Sequence, residues 1–317
     1  LFPNNPMAHF HLARAHVGKG ELNKAIVSLQ TAIGIDPAYP PPVILFSTLH
    51  LREGEPAPAE APLRRLLQSR ADFSPAWEQL GEVLRALGRN DEAWRVYDAL
   101  LKAAPQNAGW TFRRGELAVR LGRATDAKTD LTKALELDKT QLGALELLIG
   151  IAFGAKQGPE ALRLAQACVQ ANPQSARPQL ILARVHLTLK EADKAEAALK
   201  RAIELEPDAS EPYLALAQFL GSTQKHESAV ASLETLLAKN PKSAQALLLK
   251  GMLLEAKKDY PGARSAYEGL LAADPQSWLA LNNLAYIQLD HFKDAAKARE
   301  YAAKAREVAP GNPAIAD

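Results

Sequence analysis

Three histidines near the start of the chain, His9, His11 and His16, and the single Cys168 are the residues whose chemistry would matter most if they converged. The stretch "HFH" would suit a metal ion, but a metal site needs several ligands aimed at one point and oriented by partners of their own. Here His16, His50 and His186 fall at equivalent places in a repeating pattern, where a packing side chain is expected, and His9 falls at another such place. Cys168 occupies a small, buried slot of the same pattern and is expected to be an inert packed thiol. One cysteine excludes an internal disulfide framework and a cysteine-built zinc site. The glycines form no phosphate loop and no dinucleotide turn. Acidic residues four apart, such as Glu78 and Glu82, read as solvated helix faces, and no triad or carboxylate dyad stands out. The expectation is a chain that is not an enzyme, with no catalytic residue, no metal and no cofactor.

The elements that carry these residues repeat. Pro173, Pro207, Pro241 and Pro275 are 34 residues apart, and punctuation at a fixed interval means one structural unit copied many times. With Pro6 as position 1, the chain divides into repeats 6–39, 40–73, 74–107, 108–141, 142–175, 176–209, 210–243, 244–277 and 278–312, the last longer by one residue near "LDHFKD". Residues 1–5 read as the tail of a preceding repeat and 313–317 as the start of a following one. Position 20 is Ala in all nine: Ala25, Ala59, Ala93, Ala127, Ala161, Ala195, Ala229, Ala263 and Ala298. Position 32 is Pro in seven, with Ala71 and Lys139 in repeats two and four. Position 7 is mostly large and apolar, position 8 mostly small.

Apolar residues recur at helical spacing twice within each repeat. Leu180, Ile181, Leu182, Val185 and Leu189 belong to a first helix of repeat six, Ala195, Ala198, Leu199, Ala202 and Ile203 to a second. Gly20, Gly54, Gly88 and Gly122 mark the end of the first helix in the first four repeats, a place that suits glycine. The proline at position 32 stops the second helix, because the residue before a proline is pushed out of the α region. Pro75, Pro178, Pro212, Pro159 and Pro261 fall in first turns, where the missing N–H is not needed. Pro62 alone sits inside a second helix, which predicts a kinked or shortened helix over 57–70, at a local cost of about 3 kcal/mol.

A 34-residue helix–turn–helix unit with small residues at positions 8, 20 and 27 and Pro at 32 resembles the tetratricopeptide repeat. "AWEQLGEVLRALGRNDEAWRVYDALLKAAPQN" (76–107) carries nearly the whole pattern, including Trp77, Leu80, Gly81, Ala93, Tyr97 and Pro105. The resemblance covers residues 6–312 and implies an all-α, right-handed α-solenoid of nine repeats, first helices lining its concave side. A lone helix pair cannot bury its apolar face, so the repeats are stable only when stacked.

Family members usually hold ligands in the groove lined by positions 2, 5, 6, 9, 12 and 13. Those positions give Glu82, Arg113 and Glu116 in repeats three and four. Further on they give Leu147, Phe153, Leu180, Ile181, Arg184, Leu187, Leu214, Gln218, Leu248 and Met252, then Asn282 and Tyr286 in repeat nine. The groove therefore reads as charged in its N-terminal half and apolar in its C-terminal half. Either the apolar lining takes a helix or extended segment of a partner protein, or tight curvature buries positions 5 and 6 between neighbouring helices. The Lys and Asn pair of a chaperone carboxylate clamp is missing, with Phe10 and Arg14 standing there in repeat one. Of an asparagine ladder at position 6, Asn283 alone is present.

The resemblance implies a non-catalytic scaffold that binds a protein or peptide; the alternative is the substrate-recruiting array of a larger enzyme, such as a glycosyltransferase. The ending "NNLAYIQLD…AREYAAKAREVAPGNPAIAD" is similar to bacterial repeat proteins of exopolysaccharide export, including the exosortase-associated lipoprotein type. That implies a periplasmic or envelope-associated array, with the cytoplasm as alternative. Of the 317 residues 38 are basic and 36 acidic, so nothing favours nucleic acid or an anionic surface. No apolar run reaches the roughly 20 residues of a membrane helix. Leu1 stands where an initiator Met would, and a piece of a longer array is expected, with end-to-end self-association through its cut faces.

Overall fold

The computed structural model describes residues 3–315, among which there are eighteen α-helices and no strand. They divide into two compact units. The N-terminal unit, Leu1–Leu164, holds α1 (Pro6–Gly18), α2 (Leu22–Ile35), α3 (Pro40–Arg52), α4 (Ala57–Ser69), α5 (Ser74–Ala86), α6 (Asn90–Ala103), α7 (Ala108–Arg120), α8 (Ala124–Leu137), α9 (Leu142–Gly154) and the first part of α10 (Gly158–Ala171). The C-terminal unit, Ala165–Asp317, holds the rest of α10, then α11 (Ala176–Thr188), α12 (Ala192–Leu205), α13 (Ser210–Ser222), α14 (His226–Lys239), α15 (Ala244–Ala256), α16 (Tyr260–Ala273), α17 (Trp278–Asp290) and α18 (Ala295–Val308). Within each unit every helix lies against the next one in sequence, from α1 to α9 and from α11 to α18. Alternate first helices also touch, as α3 with α5 and α11 with α13.

The residue pattern explains the packing. The position-20 alanines are closed to solvent, eight at 0% exposure and Ala298 at 6%, because the two helices of a hairpin approach there and a longer side chain would overpack the contact. Position 8 faces position 24 with complementary volumes. Ala13 accompanies Leu29 and Ala217 accompanies Leu233, whereas the larger Tyr97 and Tyr267 stand opposite Gly81 and Gly251. Each fully buried Leu, such as Leu63 or Leu131, stabilises its unit by roughly 1.5–3 kcal/mol.

The first helices end alike. Position 15 has a positive φ throughout, as Gly20, Gly54, Gly88 and Gly122 and then as Lys156, Lys190, Gln224, Lys258 and Lys293. In repeat six the N–H of Glu191 donates to the His186 carbonyl at 2.9 Å and that of Lys190 to Leu187 at 3.0 Å, the two bonds of a left-handed helix cap. A side chain in that backbone region costs roughly 1–2 kcal/mol, partly offset by the extra freedom glycine loses on folding. Lys190→Gly is therefore expected to stabilise the chain by up to about 1 kcal/mol. A urea midpoint that falls would contradict the assignment of strain.

One sequence expectation needs correction. Proline is not what stops the second helices: α4 and α8 end at the same place as the others, though Ala71 and Lys139 replace it. Arg70 and Asp138 leave the helix at φ near −140°, and Phe73 and Gln141 close the following turns by donating N–H bonds to their carbonyls. The turn and the next hairpin set the stop; proline reinforces it. The helix that holds Pro62 is shortened, as expected, but at its start and not at the proline. α4 begins one residue later than other second helices, with Pro56 as its cap, and runs through Pro62 to Ser69. The carbonyl deprived of a donor belongs to Pro58, which is exposed, so water can satisfy it.

Candidate functional site

In the C-terminal unit a cleft of about 710 Å³ opens between α11 and α13. α11 contributes Leu180, Arg184 and Leu187 at helical spacing, one stripe of its surface, and α13 contributes Leu214 and Gln218 from the corresponding stripe. Leu199 and Phe219 close the floor. At the rim Glu211 accepts hydrogen bonds from Arg177 at 2.8 and 3.1 Å. The arrangement is an apolar trough with polar side chains along its edge, able to hold an apolar side chain and orient its backbone. It has no nucleophile paired with a base.

Five predicted groove residues, Leu180, Arg184, Leu187, Leu214 and Gln218, meet in this cleft. Ile181 does not: it is 2% exposed, because position 6 of α11 turns into the packing between helices. Leu248 is half-buried against the cluster around Tyr267, and Asn282 is half-buried on α17. Met252 and Tyr286 are exposed at 52% and 50%. Leu147 and Phe153 are half-buried on α9 of the N-terminal unit, Leu147 against the cluster around Leu148.

The charged groove residues of repeats three and four neutralise one another. Glu82 accepts a hydrogen bond from Tyr97 at 2.6 Å and from Arg85 at 2.7 Å, and lies 3.1 Å from the Arg113 guanidinium. Arg113 and Arg120 also pair with Glu116, at 3.1 and 2.9 Å. Burial pushes the Glu82 carboxyl upward, but the Tyr97 and Arg85 hydrogen bonds and the Arg113 charge outweigh it and hold the pKa below the ordinary carboxylate value. The charged face is thus a satisfied network.

Sequence reading missed a half-buried ion triad, with Asp130 at its closed end, and an apolar cleft, both in the N-terminal unit. Position 7, elsewhere a large apolar residue, is Arg114 in repeat four. Its guanidinium donates Nε and Nη2 to Asp130, at 2.7 and 2.6 Å, and Nη1 to Asp98 at 2.7 Å. Lys250 fills position 7 of repeat eight and pairs with Glu234 at 2.9 Å. In both, the acid lies 16 residues earlier, so a base at position 7 with an acid at that spacing was the available signal. The cleft lies beside Phe10 and Ile44; the N-terminal half is therefore charged in repeats three and four but apolar in one and two.

His9, His16 and His186 point to separate partners. His16 Nδ1 meets Glu21 and His186 Nδ1 meets Glu191, both at 2.6 Å, across the turns of their own hairpins. His9 Nε2 lies 3.0 Å from the Pro3 carbonyl. His50 is buried with neither ring nitrogen bonded, its ring 4.4 Å from that of Phe46. Burial pushes the Cys168 thiol up, which disfavours the reactive thiolate. No group of three or more potential metal-binding side chains occurs among the described residues, and no helix among them is long and apolar enough to cross a membrane.

The chain matches the tetratricopeptide repeat at residues 45–108, 79–141, 112–176 and 259–313, and a second tetratricopeptide description at 8–39. Residues 162–278 match the TPR domain of cytochrome c-type biogenesis protein H. Among solved structures, a tetratricopeptide repeat protein from Parabacteroides merdae is similar at 18% identity and a TM-score of 0.52, over 90% of this chain and 99% of that one. YrrB, described as a TPR protein with an unusual peptide-binding site, aligns at 17% identity and a TM-score of 0.43, over 58% of this chain and 95% of its own. MamA aligns at 20% identity and 0.43, over 50% and 91%. A search of curated protein sequences gave no match. With the repeat pattern matched over more than half of the sequence and an all-helical array of hairpins bearing it, the chain belongs to the tetratricopeptide repeat family.

Proposed function

We propose that the chain is a non-catalytic scaffold that holds a segment of a partner protein against the first helices of its C-terminal unit. One observation carries this reading: of the eight large apolar side chains exposed among the described residues, five, Leu187, Met252, Leu279, Tyr286 and Leu289, stand at positions 2, 9 or 12 of α11, α15 and α17. Leu187 itself lines the cleft. Exposed apolar residues scattered singly need no explanation, but ones collected on one kind of helix face mark an interaction surface. An extended or helical segment would seat its apolar side chains there.

A photo-crosslinking residue at Leu187 or Met252 is expected to capture one protein in the native cell. The same residue at Val27, 61% exposed on a second helix, serves as control and should capture none. The double variant Leu187→Asp, Met252→Asp is expected to weaken binding of the captured protein at least about tenfold with unchanged helicity, since two apolar contacts are lost. Equal capture from Val27, or unchanged affinity, would reject the surface.

The match of residues 162–278 to the cytochrome c-type biogenesis TPR domain contains the whole cleft. It favours an assembly role in cytochrome c maturation over the envelope polysaccharide export that the sequence resemblance suggested. The periplasmic placement came with the export reading and is proposed on that resemblance alone.

A further inference from the structure

The N-terminal unit holds an apolar cleft of about 510 Å³ between α1, α3 and the start of α5. Its floor is Phe10, Val17, Ile44, Leu45 and Phe73, all half-buried. The single charged residue in the lining is Arg14, whose guanidinium lies over the Phe10 ring at 6.0 Å and has no carboxylate partner among the described residues. The rim offers no other free hydrogen-bond donor to an anion. Helix starts normally present free N–H groups, but Pro40, Pro41 and Pro42 fill the first three places of α3, and Pro75 the second of α5. The Thr48 hydroxyl donates to the Ile44 carbonyl at 2.9 Å.

The construction recurs. Arginine stands at position 9 in repeats one and six alone, and each forms a cleft. Phe10, Arg14, Val17 and Ile44 occupy the same helix positions as Leu180, Arg184, Leu187 and Leu214.

We infer that this cleft is a second binding site, and that its occupant is an internal segment of a partner protein with a bulky apolar side chain beside an Asp or Glu. The apolar floor takes the bulky side chain. A guanidinium without a counter-ion, at the edge of a low-dielectric surface, takes one carboxylate in bidentate geometry. The lining is open to solvent across three helices, so the segment passes through. This site shares with the proposed function that the array binds polypeptide, but none of its residues belongs to the other surface.

The test is selection from a random peptide phage library on the full chain carrying Leu187→Asp and Met252→Asp, which disables the C-terminal surface. Selected peptides should pair an acidic residue with Leu, Ile, Phe or Trp. Their synthetic versions, followed by fluorescence anisotropy, should bind at least about tenfold more weakly to Arg14→Gln. Arg14→Glu should shift the preferred residue from acidic to Lys. Selected peptides lacking an acid, or equal affinity for Arg14→Gln, would overturn the inference. Loss of all selection in the double variant, while the unaltered chain still selects, would overturn it too and leave the proposed function standing.

Discussion

Asp130→Ala is expected to destabilise the N-terminal unit by about 2–3 kcal/mol, because it leaves the half-buried Arg114 charge without its main partner. Asp130 is 2% exposed and accepts two hydrogen bonds from Arg114. Hydrogen bonding to Asp130 leads the influences that hold the Arg114 pKa above its ordinary value against burial. An arginine cannot escape by releasing its proton, so the orphaned guanidinium must draw in water or pull α7 away from α8. Asp98 would remain as partner, but it also serves Lys102 at 3.0 Å and is more exposed. The double variant Arg114→Leu, Asp130→Val places at position 7 the residue that most repeats carry. It should recover the loss to within about 1 kcal/mol, because an ion pair exchanged for packed apolar groups is often neutral or better. Trp94, whose ring lies 5.7 Å below the Arg114 guanidinium, supplies the fluorescence signal for urea unfolding. A single-variant loss under about 1 kcal/mol, or a double variant no better than the single, would show that Asp130 is not the main partner of Arg114.

The triad also shows what sequence could not convey. The period was legible because every hairpin meets the same steric demand at positions 8, 20 and 24, and volume is written directly in residue type. Charge is not: Arg114 on a helix reads like any solvated base until the fold buries Asp130 opposite it. Reading one position at a time likewise could not show that Glu82, Arg113 and Glu116 pair with one another. Ile181 is buried beside the cleft-lining Leu180 because a single residue, about 100° around the helix, decides between cleft and core. The left-handed Lys190 gave no sign, since its conformation is imposed by the cap bonds around it. The cleft beside Phe10 gave no sign for a simpler reason: its lining is assembled from α1, α3 and the start of α5, and no single repeat carries it.

Gly251→Ala is the second large effect, expected at about 3 kcal/mol, the upper end of overpacking costs. A Cβ there would stand 2.6 Å from Cζ and 2.7 Å from Cδ1 of the Tyr267 ring. The ring has no room to yield, being 0% exposed and tied through its hydroxyl to Glu255. Gly81→Ala poses the same problem more mildly, with Tyr97 Cζ at 2.9 Å, and should cost about 1–2 kcal/mol. Ala at position 8 is tolerated where position 24 is Leu, as in Ala183 with Leu199 and Ala217 with Leu233. Tyr267→Leu should therefore rescue Gly251→Ala, giving a coupling of about 1–3 kcal/mol in the double-mutant cycle. Tyr267→Leu alone should destabilise, since it leaves a void beside the glycine and removes the donor to Glu255. Additive losses in the cycle would mean that the two positions do not meet, and the volume rule drawn from the repeats would fail at the hairpin where it is most tightly drawn.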